Sequence, residues 1–308
     1  VKQINLFLIF ALLCFSNNIS ALSLFEDRGT TVMAGYEITP SAITLGRGGA
    51  GVAVAEDGAY SHINPAGIFN TDGDRIYMSH ANLFENSRSE CLNATLLYEK
   101  LPIGVTLYYR KLGEAPVIYD GSDYNENNVY SAYDAAVAFS SGVKTERMKI
   151  GFSLRIMRQE VWNYSSTALA ADGGLLVKLP INGLSAGASV INLGYASAFD
   201  NTAYPLSTVV RAGTAYDKTL KNGIRLKALT DVQASNDGSL SIPVGLEAGN
   251  RWLTVRSGWN VLHDTQSYSA GLSIKLNSIQ IDYAYVHFTE NLSENSQPQF
   301  FSLSFFLN

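Results

Sequence analysis

The feature that most constrains this chain is an apolar alternation of period two that recurs from Arg75 almost to the last residue. Met148, Ile150, Phe152, Leu154 and Ile156 alternate with Lys149, Gly151, Ser153 and Arg155. The same pattern holds for Tyr268, Ala270, Leu272, Ile274 and Leu276, for Ile224, Leu226 and Ala228, and for Ile279, Ile281, Tyr283 and Tyr285. Successive side chains of a strand point to opposite faces, so each such segment carries one apolar and one polar face. Seventeen Tyr, 14 Phe and 26 Gly suit a chain built of strands and tight turns.

About fourteen strands can be read, near 75–84, 89–99, 101–112, 128–142, 147–161, 168–179, 182–193, 206–216, 222–233, 240–249, 251–261, 267–276, 278–288 and 299–307. A β-sandwich would show the same alternation. The connections separate the two folds. Those near residues 100, 146, 180, 220, 250 and 277 are short, whereas 113–128, 194–207, 235–239 and 289–298 are longer and polar. Short turns at one end, longer loops at the other and an even strand count are the pattern of an outer-membrane barrel, with both termini on the periplasmic side. The expected fold class is therefore all-β: a transmembrane antiparallel barrel of about 14 strands.

With the apolar faces turned to lipid, the other faces carry Arg110, Arg155, Arg211, Arg225, Lys227, Glu247, Arg256, Lys275 and Asp282 as candidate lumen residues. Arg or Lys against lipid at the midplane costs about 2–4 kcal/mol, whereas a wet or filled lumen tolerates both signs. The expected role of these charges is to pair with one another and with whatever fills the lumen. Trp162, Trp252, Trp259, Tyr98 and Tyr109 fall near expected strand ends, where interfacial girdles belong.

The N-terminus reads as an export signal. Lys2 precedes the apolar run from Leu6 to Phe15, followed by polar residues and Ala21. The run is shorter than the ~20 residues of a spanning helix. The expected organisation is a signal peptide over 1–21, an N-terminal segment over 22–73 and a barrel over 74–308. Cys91 would be the one cysteine left after cleavage, which excludes an internal disulfide and a cysteine metal cluster. A net charge of −5 offers no basic field for nucleic acid.

Residues 45–67 contain Gly46, Gly48 and Gly51 at the G-x-G-x-x-G spacing of a dinucleotide loop. A Rossmann unit needs a strand before them and a helix after them. Pro40 interrupts the first, and Gly58 and Pro65 limit the second to one or two turns. The stretch SAITLGRGGAGVAVAEDGAYSHINPAGI instead resembles the N-terminal segment of FadL-type and PorV/PorQ-like outer-membrane barrels. Its specific part is Asn64, Pro65, Ala66 and Gly67, preceded by the glycines at 46, 48, 49 and 51. The resemblance implies that this segment folds into the lumen as a plug, with hydrophobic ligands binding above it and leaving through a gap in the wall. Glycine permits the close backbone approach that a compact plug requires, and the motif is expected to shape and seat the plug. The aromatic-rich QFFSLSFFLN at the end resembles the signal read by the barrel-assembly machinery, with Leu307–Asn308 in place of the terminal aromatic.

Catalytic candidates are few. His62, His80, His263 and His287 show no metal-ligand spacing, Ser61–His62 is not a triad signature and G-x-S-x-G is absent. His263–Asp264 is the best enzyme candidate, Glu56–Asp57 reads as a helix start or salt bridge, and Asp123 and Glu126 could bind Ca²⁺ weakly. The chain is expected not to be an enzyme and to need no cofactor or metal. Two readings follow for a Gram-negative-type bacterium. The first is a passive outer-membrane channel for hydrophobic, long-chain fatty-acid-like molecules. The alternative is a PorV/PorQ-like docking barrel that serves secretion-system partners and transports nothing.

Overall fold

A computed structural model describes residues 29–71, 73–84, 87–98, 101–116, 129–262, 266–288 and 297–307. The signal-peptide segment, His263–Asp264, Asp123 and Glu126 lie outside these residues. Fourteen strands close into one antiparallel ring, each paired with its sequence neighbours and the last with the first. They are β1 (Asp74–Asn82), β2 (Arg88–Tyr98), β3 (Leu101–Pro116), β4 (Val129–Lys144), β5 (Met148–Val161), β6 (Tyr164–Lys178) and β7 (Leu184–Ala196). The ring continues with β8 (Val209–Thr219), β9 (Arg225–Ser235), β10 (Leu240–Gly249), β11 (Leu253–Val261), β12 (Gln266–Leu276), β13 (Ile279–Phe288) and β14 (Gln299–Leu307). Closure pairs Asp74 with Leu307 and Asn82 with Gln299, so no strand edge is left open.

The apolar faces point outward. Leu154, Leu169 and Leu193 are each 63–64% exposed, and Phe139, Phe152 and Leu246 more than half exposed. A wall of large apolar side chains around the whole ring is stable only against lipid. Among the described residues no helix is long and apolar enough to cross a membrane; the strands make the crossing. Many inward-facing positions are small or polar, with Ser140, Ser153, Ser273 and Ser304 at 4% exposure or less, and a few, such as Tyr108 and Met157, are large.

Three details differ from the sequence reading. The connections at the end opposite the short turns are not uniformly long, because β5 and β6 are joined through residues 162–163 alone and β9 and β10 through 236–239. The polar start of β6, Tyr164–Thr167, had hidden that turn. Tyr109 lies within β3 rather than near its end, since that strand runs on to Pro116 through a bulge between Lys111 and Glu114. Gly113, with φ of 98°, takes the left-handed conformation there. Tyr98 and Trp252, by contrast, do stand at strand ends.

The segment before β1 lies within the ring and has little regular structure: one helical turn at Ala42–Leu45 and 3-10 turns at Ala34–Glu37, Tyr60–His62 and Pro65–Asn70. It is held from all sides. Tyr77 on β1 donates to Pro40 O at 2.8 Å, Tyr60 Oη meets Thr95 on β2 at 3.0 Å, Ser189 on β7 donates to Ile63 O at 2.6 Å, and Gly48 N–H donates to Ser269 on β12 at 2.9 Å. The apolar contacts inside are modest, centred on Met33, Tyr36, Tyr77, Tyr108 and Met157.

Candidate functional site

The candidate site is the junction between the inner segment and the polar inner wall. Its glycines sit where backbone meets backbone. Gly48 has φ of 72°, and a Cβ there would lie 2.7 Å from the Trp259 nitrogen on β11. Both facts exclude a side chain at this position. Gly46 faces Gly271 on β12 with a virtual Cβ 3.0 Å from its Cα, and Gly49 lies beside Pro243 on β10. Gly51 and Val52 both donate their N–H groups to one oxygen of Asp231 on β9, at 2.6 and 2.9 Å.

Asn64 is fully buried, and all its side-chain atoms are engaged. Its Oδ1 caps the following turn by accepting from Ala66 N–H at 3.1 Å, and Pro65 occupies the first position of that turn. Its Nδ2 donates to Val52 O at 2.8 Å and to Leu175 O on β6 at 3.0 Å. A single amide thus joins two parts of the segment to the wall. Gly67 packs against Ala55 and Tyr60, leaving no room for a Cβ.

The candidate lumen charges occupy inward positions. Arg155 is 2% exposed; it pairs with Asp172 at 2.9 Å and donates to Ser61 O at 2.7 Å. Arg211 donates to Gln233 at 2.9 Å and to His62 O at 3.2 Å, while Arg110 pairs with Asp134 at 3.1 Å. Asp282 accepts from Ser273, from Gln280 at 2.8 Å and from Ser302 at 3.2 Å. Arg225 sits at the exposed start of β9, paired with Asp217.

The remaining charges form one network. Glu56 of the inner segment lies 2.7 Å from Lys227 and 2.8 Å from Arg47; Glu247 lies 2.8 Å from Arg256 and 3.6 Å from both Arg47 and Lys227. Burial works against the charge on Glu56, but Lys227 and Arg47 outweigh it and hold its carboxyl well below the usual range. Asp57 differs: burial raises it despite a hydrogen bond from Ser41. His62 is pushed well below its ordinary value by burial and by Arg155 and Arg211, so its ring is neutral. It packs 5.1 Å from the Tyr108 ring. No cluster that could hold a metal occurs among the described residues.

Asp231, Asp172, Asp134 and Asn93 were not among the sequence candidates, yet Asp231 and Asn93 hold the segment, and Asp172 and Asp134 pair with the wall arginines Arg155 and Arg110. A carboxylate or amide on the polar face of a strand was the available signal. Two cavities adjoin the ion network. One, of about 840 Å³, opens at the short-turn end; the other, of about 500 Å³, is an apolar dent in the outer wall beside Leu226, Ala228, Leu246 and Val255. Lys227, Glu247 and Arg256 border both.

Comparison with known proteins places the architecture. The chain resembles the toluene transporter TodX of Pseudomonas putida at 12% identity, covering 86% of this chain and 96% of that one with a TM-score of 0.55. A deltaS2S3 mutant of the TodX monoaromatic hydrocarbon channel gives 11% identity, the same coverages and a TM-score of 0.58. A FadL homologue from Pseudomonas aeruginosa aligns over 86% of this chain and 97% of its own at 12% identity, with a TM-score of 0.49. No protein-family model and no curated protein sequence matches. The barrel fold is shared with the TodX hydrocarbon channel. At these identities the likeness concerns the fold.

Proposed function

We propose that this protein is a passive outer-membrane channel for hydrophobic small molecules of the long-chain fatty-acid type, in which the inner segment serves as the plug. The observation that carries the reading is the seat of that segment beside a stretch of wall with fewer ladder pairs. The β9–β10 register is unshifted along its length, but between Ser241–Gln233 and Val244–Thr230 the ladder lacks the pairs of Ile242 and Pro243 with Val232 and Asp231. Pro243 has no N–H to give a ladder. The same Asp231 anchors Gly51 and Val52, so release of the segment and loosening of the wall would act at one place. The fold likeness to a hydrocarbon channel, over 86% of this chain, supports this reading.

Purified protein in detergent should quench or shift a fluorescent long-chain fatty acid saturably, and unlabelled fatty acid should displace it. Absence of saturable binding would count against the proposal. The docking alternative is favoured by a different observation: the ring of strand pairs closes without a missing neighbour. A docking barrel of that kind would retain partner proteins on purification while leaving uptake of hydrophobic compounds unchanged.

A further inference from the structure

The cavity at the short-turn end has a charge balance that neither the plug nor a hydrophobic cargo explains. Among the described residues ten Lys and Arg line it, against four carboxylates, in a protein whose net charge is −5. Three of the four carboxylates are already engaged: Glu56 with Lys227 and Arg47, Glu247 with Arg256, and Asp217 with Arg225. That leaves Glu146 facing a rim on which Lys144, Arg147, Lys178 and Arg251 are exposed and have no carboxylate partner among the described residues.

Strand register concentrates these cations. Lys144 stands directly opposite Lys149 across the β4–β5 ladder, and Lys178 N–H donates to Arg147 O, which brings the next strand's terminal lysine alongside. Like charges placed directly opposite are unfavourable; Lys149 Nζ donates to Phe69 O at 3.4 Å and to Asn70 Oδ1, while Lys144 stays exposed at the rim. Aromatic rings steady the cations: Lys144 lies over Phe69, Lys275 over Phe306 and Arg251 over Trp252, at 5.6, 4.2 and 4.6 Å. The volume, about 840 Å³, is that of a small-molecule site.

We infer that this turn-end vestibule binds a multiply charged, phosphate-bearing anion. Phosphate concentrates about −1.5 to −2 charges and three acceptor oxygens in a small volume, which suits several converging cations better than a single carboxylate does. Short turns face the periplasm, where the phosphate could belong to a soluble molecule or to an inner-leaflet lipid headgroup. The inference does not depend on the transport reading.

The test is calorimetric titration of the detergent-solubilised full chain with inorganic tripolyphosphate. Saturable binding is expected, weakening about tenfold or more in a variant carrying Lys144→Gln, Arg147→Gln, Lys178→Gln and Arg251→Gln. It should also weaken as salt rises from about 0.1 M to about 1 M, where the Debye length contracts from about 10 to about 3 Å. Lys221→Gln, in the β8–β9 turn outside the cavity, should leave binding unchanged and controls for net charge. Heat-modifiable mobility on a denaturing gel shows that each variant retains its barrel. Competition by dihexanoyl phosphatidic acid would support a headgroup source, and failure to compete a soluble one. No saturable binding, or binding that survives the four substitutions, overturns the inference.

Discussion

The Asp231 carboxylate accepts the Gly51 N–H at 2.6 Å, joining residues 180 apart in sequence, and takes Val52 N–H on the same oxygen. This contact ties the inner segment to β9 opposite Pro243, where the β9–β10 ladder lacks two pairs. Replacing Asp231 with Ala leaves two buried donors without that acceptor, at about 1–3 kcal/mol for each unsatisfied group. Thermal unfolding in detergent should move to lower temperature while the barrel remains folded. Ion conductance in planar bilayers should increase as the segment loosens.

Gly48→Val attacks the same seat sterically. The backbone at φ of 72° disfavours any β-branched residue, and the new Cβ would meet the Trp259 backbone. We expect limited proteolysis to cut within residues 41–58 in this variant and to spare them in the parent protein.

Asn64→Ala removes the cap on Ala66 and both carbonyl contacts. Cap loss alone costs about 0.5–2 kcal/mol. Hydrogen exchange at residues 64–70 should accelerate markedly, with the amides of β1 and β14 unchanged.

Glu56 supplies an acid-sensitive latch. Its carboxyl is held below the usual range in the folded protein, so its contribution is fully present above the unfolded carboxylate range near pH 4.5. That contribution is lost as pH falls towards the depressed folded value. Stability measured by urea unfolding should therefore decline below about pH 4.5, and Glu56→Gln should flatten that decline. An unchanged pH profile in Glu56→Gln would remove the latch from the account.

The barrel was legible because lipid imposes its demand locally: every other residue of β5, β12 and β13 must be apolar, whatever lies across the ring. Strand ends were less legible where the wall leaves the apolar zone, as at Tyr164–Thr167 and beyond Lys111, because polar alternation carries no burial signal. The glycines and Asn64 stood out as a pattern, but not what they touch. Lys227 and Glu56 are 171 residues apart, and Asn64 and Leu175 are 111 apart. Pairing at such separations is set by how the segment threads the closed ring, and no local periodicity encodes it.

Uptake is the most direct test of the central claim. Cells of a Gram-negative host lacking its own hydrophobic-compound channel would express the intact chain or its Asp231→Ala variant, or carry an empty vector, and initial rates of entry of radiolabelled long-chain fatty acid would be measured. We predict faster entry with the intact chain than with the vector, and an altered rate when the Asp231 anchor is removed. Equal rates in all three, with the barrel folded in the outer membrane, would contradict it.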